Sequence, residues 1–358
     1  MSRADDPRLG QILVNRAQFD KQSLPVTRPT IGLIQVPCDE GVRRNGGRLG
    51  ASDGPAAVMN LLPRFGCLDN REWNIDLRAS GIQLVAYGET GSTNLEDVHV
   101  DLKKLVHDCL RSGLFPFSIG GGNDQSWANG SAWIEHLRSQ RSSDDTELRL
   151  TVINVDAHLD VRPLMPDFDG QLLAHSGSPF RQLVEMTRDR EASGGRLFLH
   201  KLLFFQINLQ LIEFAAQGQQ CACVHVDYVF ENGGQIVWLS DLGEFVVGTR
   251  LRTGAHSNAV AKLQSILSEC ENAGRRVFFS FDLDAIRASD CPGVSCPSPV
   301  GLSSEEALGL CFVAGASKAV DLMDISEFNP RIESSQTSRL VVNMIYHFVL
   351  GYSRRFVS

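Results

Sequence analysis

The sequence predicts an α/β protein built on one parallel sheet with helices on both of its faces. Two observations carry this. Short apolar runs recur along the chain, and several have hardly a polar residue, as strands buried on both faces require. Between them lie longer segments whose apolar residues repeat every three to four positions, and strands alternating with such helices build parallel sheets.

Taken in order, the first run is "TIGLIQVP" (30–37). "DGPAAVMNLLPRF" follows and opens with Asp53 and Gly54 before Pro55, a helix-start signal. "IQLVAYG" is the second strand, and "NLEDVHVDLKKLVHDCLRSG" is a helix of period near 3.6 that stops at Gly113. "FPFSIG", "LRLTVINV", "KLLFFQI", "RVFFSFDL" and "AVDLMDIS" complete the strands. The last two helices, "SSEEALGLCFVAGA" and "SSQTSRLVVNMIYHFVLGY", both open on serines suited to capping. Region 187–256 is the least regular: "REASGGR", "FAAQGQQCACVHVDYVF" and "ENGGQIVWLS" exceed what one crossover needs. It reads as surface decoration with an extra strand or two on a single domain spanning 1–358.

Composition bounds the function. Hydrophobic residues make up 43% of the chain and charged ones 21%, which suits a packed globular core rather than disorder. The net charge of −8 and the absence of a polybasic block argue against a nucleic-acid partner. The first residues, "MSRADDPRLGQILVNRAQ", carry no apolar signal-peptide core. No apolar run has the length of a membrane span. The cysteines are odd in number and scattered, which reads as reduced, mostly buried thiols of a cytoplasmic protein. Cys221 and Cys223 have no second pair to close a zinc site.

Ligands of open α/β sheets bind beyond the carboxyl ends of the strands, and polar residues gather there. "VINV" is followed by "DAHLDVR", "VFFSF" by "DLDAIRASDCPG", "FPFSI" by "GGGND", "GLIQVP" by "CDEGVRRNGGR", and "VDLMDIS" by "EFNP". Asp156, His158 and Asp160 are spaced by two, which puts all three on one face of an extended chain. Asp282 and Asp284 repeat the spacing. Four carboxylates and an imidazole converging on one spot need counter-charge, because each buried charge costs several kcal/mol or more. Carboxylate-rich sets favour hard to borderline cations such as Mn²⁺, and bridging carboxylates suit a two-metal site. The loop "GGGND" fits neither a phosphate loop, which needs Lys then Ser or Thr, nor a dinucleotide fingerprint. A metal-site loop and a plain turn stay open for it.

"GGGN", "DAHLD" and "SFDLDAIRASDCPGVSCP", in this order, resemble the three signatures of the ureohydrolases: arginase, agmatinase and formimidoylglutamase. "CDEGVRRNGGRLGASDGP" and "HSGSPFRQL" resemble formimidoylglutamase in particular. The resemblance implies a three-layer αβα sandwich with an eight-stranded parallel sheet, a dimanganese cluster and a metal-bridging hydroxide that splits an amidine C–N bond. It implies that Asp156 and Asp282 bridge both metals, that Asp160 binds the first, and that His158 and Asp284 bind the second. Most members place a His in the first metal's remaining slot. Here that slot holds Asn123, whose neutral amide oxygen is a weaker ligand, so the first site is expected to be weakened.

The resemblance further implies that Asp160 passes a proton to the leaving amine and that Glu327 holds the cationic amidine end. The expected substrate is N-formimidoyl-L-glutamate, a small dicarboxylate of histidine degradation. Its two carboxylates call for cations: Arg162, two residues past Asp160 on the same strand face, with Arg181, Arg43 and Arg44 on other edge loops. Ser176 stands where arginases carry a His, which separates this chain from them. The expected partners are this substrate and further copies of the chain. Cys38, on the first edge loop, and Cys291 or Cys296, on the loop after Asp282, are expected to rim the same pocket as a redox pair.

Overall fold

A computed structural model describes residues 5–21, 28–141, 147–192, 206–243 and 258–356. Nine strands form one sheet: β1 Leu13–Asn15, β2 Thr30–Val36, β3 Gln83–Glu89, β4 Phe115–Gly120, β5 Glu147–Val155, β6 Gln206–Ala216, β7 Gln235–Trp238, β8 Arg276–Asp282 and β9 Val320–Ser326. Their order across the sheet is β1-β3-β2-β4-β9-β8-β5-β6-β7, and every neighbouring pair is parallel.

Strand residues alternate between two cores. Ile153, Val155, Phe279 and Phe281 face one layer, where helices 54–61, 258–272, 304–316 and 335–353 pack. Leu150, Val152, Phe278 and Leu322 face the other with helices 125–139 and 179–192, and Ile34, Val36, Val85 and Tyr87 join helix 95–111 there. Burial on both faces explains the near-continuous apolar runs, and the result is a three-layer sandwich.

The helix boundaries follow local signals. The Asn94 side chain accepts from the Asp97 amide at 3.1 Å, and Gly113, at φ +75°, ends that helix. Ser303 and Glu306 cap each other: the Ser303 amide donates to Glu306 Oε2 at 2.7 Å, and the Glu306 amide donates to Ser303 Oγ at 3.2 Å. Helices 304–316 and 335–353 approach closely because each has a glycine at the contact. A Cβ on Gly351 would stand 2.0 Å from the Phe312 carbonyl oxygen, and one on Gly315 2.2 Å from that of Phe348.

The sheet departs from an eight-stranded expectation. β1 lies in the N-terminal stretch, where no strand was expected. Residues 206–216, which extend the expected strand "KLLFFQI", and 235–238, an extra strand of the kind expected in region 187–256, are β6 and β7 of the sheet itself. Residues 201–205 of the expected strand "KLLFFQI" (201–207) lie outside the described residues, and the observed strand runs from Gln206 to Ala216. Among the described residues no helix is long and apolar enough to cross a membrane.

Four adjacent strands, β4, β9, β8 and β5, sit at the middle of the sheet. β4 and β5 are consecutive in the chain yet separated by β9 and β8, so the winding direction changes there, and that is where open α/β sheets bind ligands.

Candidate metal centre

The loop after β5 carries Asp156, His158 and Asp160, and the end of β8 carries Asp282 and Asp284. One ligand atom from each of Asp156, Asp160 and Asp282 lies within 4.8 Å of the others, and the same holds for His158, Asp284 and Cys296. The side chains are fixed from below. Asp156 accepts from the His158 amide at 2.7 Å and from Asn154 Nδ2 at 3.2 Å. Asp282 accepts from the Asp284 amide at 2.9 Å. His158 Nδ1 stands 3.0 Å from Asp284 Oδ2 and 3.4 Å from Asp156 Oδ1. Asp160 has φ 42° and Glu327 φ 71°. Non-glycine residues in this region cost of order 1–3 kcal/mol each and are held by their surroundings at functional sites.

The electrostatics ask for cations. Burial pushes the Asp156, Asp160 and Asp282 carboxyls above their ordinary range, and neighbouring carboxylates push them further. The Asp284 charge pushes His158 upward. One imidazole cannot offset this much buried acid, whereas divalent cations can. An oxygen-rich donor set with one imidazole fits manganese; the Cys296 thiol adds a softer donor at the second group.

Asn123 is fully buried at the head of helix 125–139. Its Nδ2 donates to Asp160 Oδ2 at 2.8 Å, while its Oδ1 accepts from Ser126 Oγ and Ser326 Oγ, both at 3.0 Å. The amide therefore presents nitrogen to the carboxylates, and the oxygen expected as a metal ligand faces the two serines. Glu327 lies across from it. Its Oε1 accepts from the Asn123 amide at 3.1 Å and its Oε2 from Ser295 Oγ at 3.0 Å. Burial raises its carboxyl, and the Asp284 charge adds to the rise.

The expected substrate arginines part company. Arg162 Nη1 donates to Asn45 Oδ1 at 3.0 Å, and Asn45 Nδ2 donates to Ser176 Oγ at 3.1 Å, so Arg162, Asn45 and Ser176 form one chain. The other three have acidic partners. Arg43 pairs with Glu40, Arg44 with Glu40 and Glu96, and Arg181 with Glu185 while its guanidinium lies 4.4 Å above the Tyr228 ring. All nine cysteines are free thiols, so no bond joins Cys38 to Cys291. Burial pushes both thiols up to about 12, which leaves little thiolate at neutral pH.

Sequence reasoning passed over several residues here. Asn45 lies in "RRNGGR", beside the arginines it considered. Glu213 is an acid inside the apolar strand "LIEFAA", and that mismatch was a readable signal. Its Oε2 accepts from Asn154 Nδ2 at 2.8 Å, which ties it to Asp156. Ser295 reaches the site only through the folding of a loop, and its neighbour Cys296, expected at the rim, stands with His158 and Asp284.

The model of the Arginase family matches residues 29–351. Formimidoylglutamase from Geobacillus thermodenitrificans is 28% identical over 324 residues, covering 90% of this chain and 84% of that protein. The crystal structure of Trypanosoma cruzi formiminoglutamase with manganese is 38% identical with a TM-score of 0.73, covering 98% of this chain and 99% of that one. Formimidoylglutamase from Bacillus subtilis, at 19% identity and a TM-score of 0.75, covers 99% of this chain and 94% of its own and shares the fold. The chain belongs to the arginase family and is an enzyme that acts on amidine C–N bonds.

Proposed function

We propose that this enzyme hydrolyses N-formimidoyl-L-glutamate to L-glutamate and formamide, a step of histidine degradation, with manganese as its cofactor. The observation that carries the reading is the pair of adjoining donor groups, Asp156–Asp160–Asp282 and His158–Asp284, at the ends of two central strands. The names of the relatives and the manganese in the related Trypanosoma cruzi structure support it.

The first group would hold one ion and the second another, with Asp156 and Asp282 shared. Manganese bound there supplies a water acidified enough to attack at neutral pH and a pull on the amidine. The chain's own residues do the rest. The Glu327 carboxylate, aimed by Ser295 and the Asn123 amide, faces the cationic amidine. Water adds to the formimidoyl carbon, the bond from that carbon to the glutamate nitrogen breaks, and the nitrogen leaves with a proton delivered by Asp160. Arg162, held by Asn45, binds one substrate carboxylate. Asn123 would offer its oxygen to an ion at the first group only with its amide reversed. The hydroxyls of Ser126 and Ser326 allow this because they accept as well as donate, and Ser126 then donates to Asp324 Oδ2, 2.9 Å away.

The second reading is a hydrolase of another guanidino acid, and the Asn123 orientation favours weak metal loading of the first group. A panel of formimidoylglutamate, arginine, agmatine and guanidinobutyrate, assayed with added Mn²⁺ beside metal analysis, decides. We expect turnover of formimidoylglutamate alone. Turnover of another substrate instead would reassign specificity, and two bound manganese ions with no turnover would sink the hydrolase reading.

A further inference from the structure

The arginines on the loops beyond the strand ends divide by their partners. Arg43, Arg44 and Arg181 have carboxylates, as do Arg287, paired with Asp290 at 2.9 Å, and Arg331, paired with Asp53 at 2.7 Å. Arg48 and Arg162 have no carboxylate at ion-pair distance among the described residues; neutral oxygens hold them, and Arg162 acts on Asp160 only through space. Arg48 donates from Nε to the Ser295 carbonyl and from Nη2 to the Val294 carbonyl, both at 3.0 Å. Two of its five N–H groups are thereby used, and the open edge of the fork remains for a ligand.

Both ends of Arg48 are fixed at the site. Asn329, two residues past Glu327, donates to the Arg48 and Leu49 carbonyls at 3.1 and 3.0 Å. The peptides that hold the guanidinium belong to the loop carrying Ser295, which bonds Glu327, and Cys296, which stands with His158 and Asp284. Three residues earlier, Asn45 holds Arg162 on the other side. The segment 45–48 thus ties both guanidiniums to the rim, Arg48 through its own side chain and Arg162 through Asn45.

We propose that Arg48 is the second carboxylate anchor, so that Arg48 and Arg162 clamp the two carboxylates of a dicarboxylate amidine. This rests on the hydrolase reading above. It explains why the rim keeps two arginines without acids while neutralising the rest: a free anion replaces the missing partner.

The test is kinetics of Arg48→Met and Arg162→Met on the manganese-loaded enzyme with three substrates. These are N-formimidoylglutamate and two analogues, one lacking the side-chain carboxylate (N-formimidoylnorvaline) and one lacking the α-carboxylate (N-formimidoyl-4-aminobutyrate). Each variant is expected to raise KM for the dicarboxylate roughly 10- to 100-fold with kcat within a few-fold. Each is further expected to be indifferent to the loss of one carboxylate, a different one for each variant. Arg48→Lys, which keeps the charge, is expected to recover part of KM. A merely structural Arg48 would instead disturb the Ser295–Glu327 contact and lower kcat for all three substrates alike, and that result overturns the clamp. Unchanged KM in a folded Arg48→Met also overturns it while leaving the hydrolase reading intact. A wild type that turns over none of the three removes both.

Discussion

At Asn123 a neutral amide stands where a metal ion held by the carboxylates would be best served by a ligand with a free lone pair. Its Nδ2 satisfies Asp160 and its Oδ1 is spent on two serines, so recruiting it to a metal requires a reversal that an imidazole does not. Asn123→His should therefore load the first ion at free Mn²⁺ lower by at least roughly tenfold. Superimposable calorimetric titrations of variant and wild type would place this residue outside the centre. Asp156→Ala and Asp282→Ala each delete a carboxylate that both ions would share under the proposed function, so both should lose manganese on dialysis and turnover by ~1000-fold or more. Retention of two ions per chain in either variant would show that the shared assignment is wrong. Arg162→Ala should raise KM roughly 10- to 100-fold; an unchanged KM would move that carboxylate elsewhere on the rim.

Helices 304–316 and 335–353 show how much of the element scale was written locally. The start of helix 304–316 was legible because the Ser303–Glu306 cap is a short-range interaction, whereas Ser334 does not cap helix 335–353, where the Ser335, Gln336 and Thr337 amides donate to the Glu333 carboxylate instead. The mutual approach of the two helices was not legible, because Gly315 and Gly351 acquire meaning only when each meets the other helix's backbone. Gly351→Ala forces a methyl against the Phe312 carbonyl and should cost about 3 kcal/mol, read as a lower denaturant midpoint with an unchanged slope; equal midpoints would mean that the helices slide apart freely. The same contrast runs through the sheet and the site. Long strands buried on both faces announce themselves, whereas three-residue β1 and four-residue β7 are too short for their periodicity to register. The D-x-H-x-D and D-x-D clusters were legible as acids gathered past strand ends, but the extended chain expected for them is absent: Asp156, His158 and Asp160 follow the end of β5, with Asp160 at φ 42°, and Asp284 lies in a short turn after β8. Asn45 and Arg48 share one loop and Ser295 lies on another; both loops were expected at the rim, but nothing local says which of their residues touch.

Over the whole molecule, the acids at the centre oppose their own burial, and this sets how stability follows pH. In the metal-free chain Asp160 is pushed up to about 7 and Glu327 to about 8, chiefly by burial, and Asp282 well above its ordinary value for the same reason. Their folded values exceed their unfolded ones, so the folded chain holds protons that the unfolded chain has already released. That stability is fully present below the unfolded carboxylate range and is lost as pH rises through the folded values. His158, raised mainly by Asp284, acts in the same direction above its unfolded value. His136, His175, His225 and His347 are lowered, chiefly by burial. They act oppositely, but only below about pH 6.5, where the unfolded imidazole gains its proton. The clean window is therefore pH 6.5 to 8.5. Metal-stripped protein should melt at least ~5 °C lower at pH 8.5 than at pH 6.5. Saturating Mn²⁺, which binds the deprotonated ligands and replaces protons as counter-charge, should recover the loss and raise Tm more at pH 8.5 than at pH 6.5. Calorimetry of the stripped and loaded protein at both pH values checks the sign. A stripped protein that gains stability as pH rises would mean that these carboxyls are solvated or already paired in the folded chain, and the case for a cation-demanding centre would fall with it.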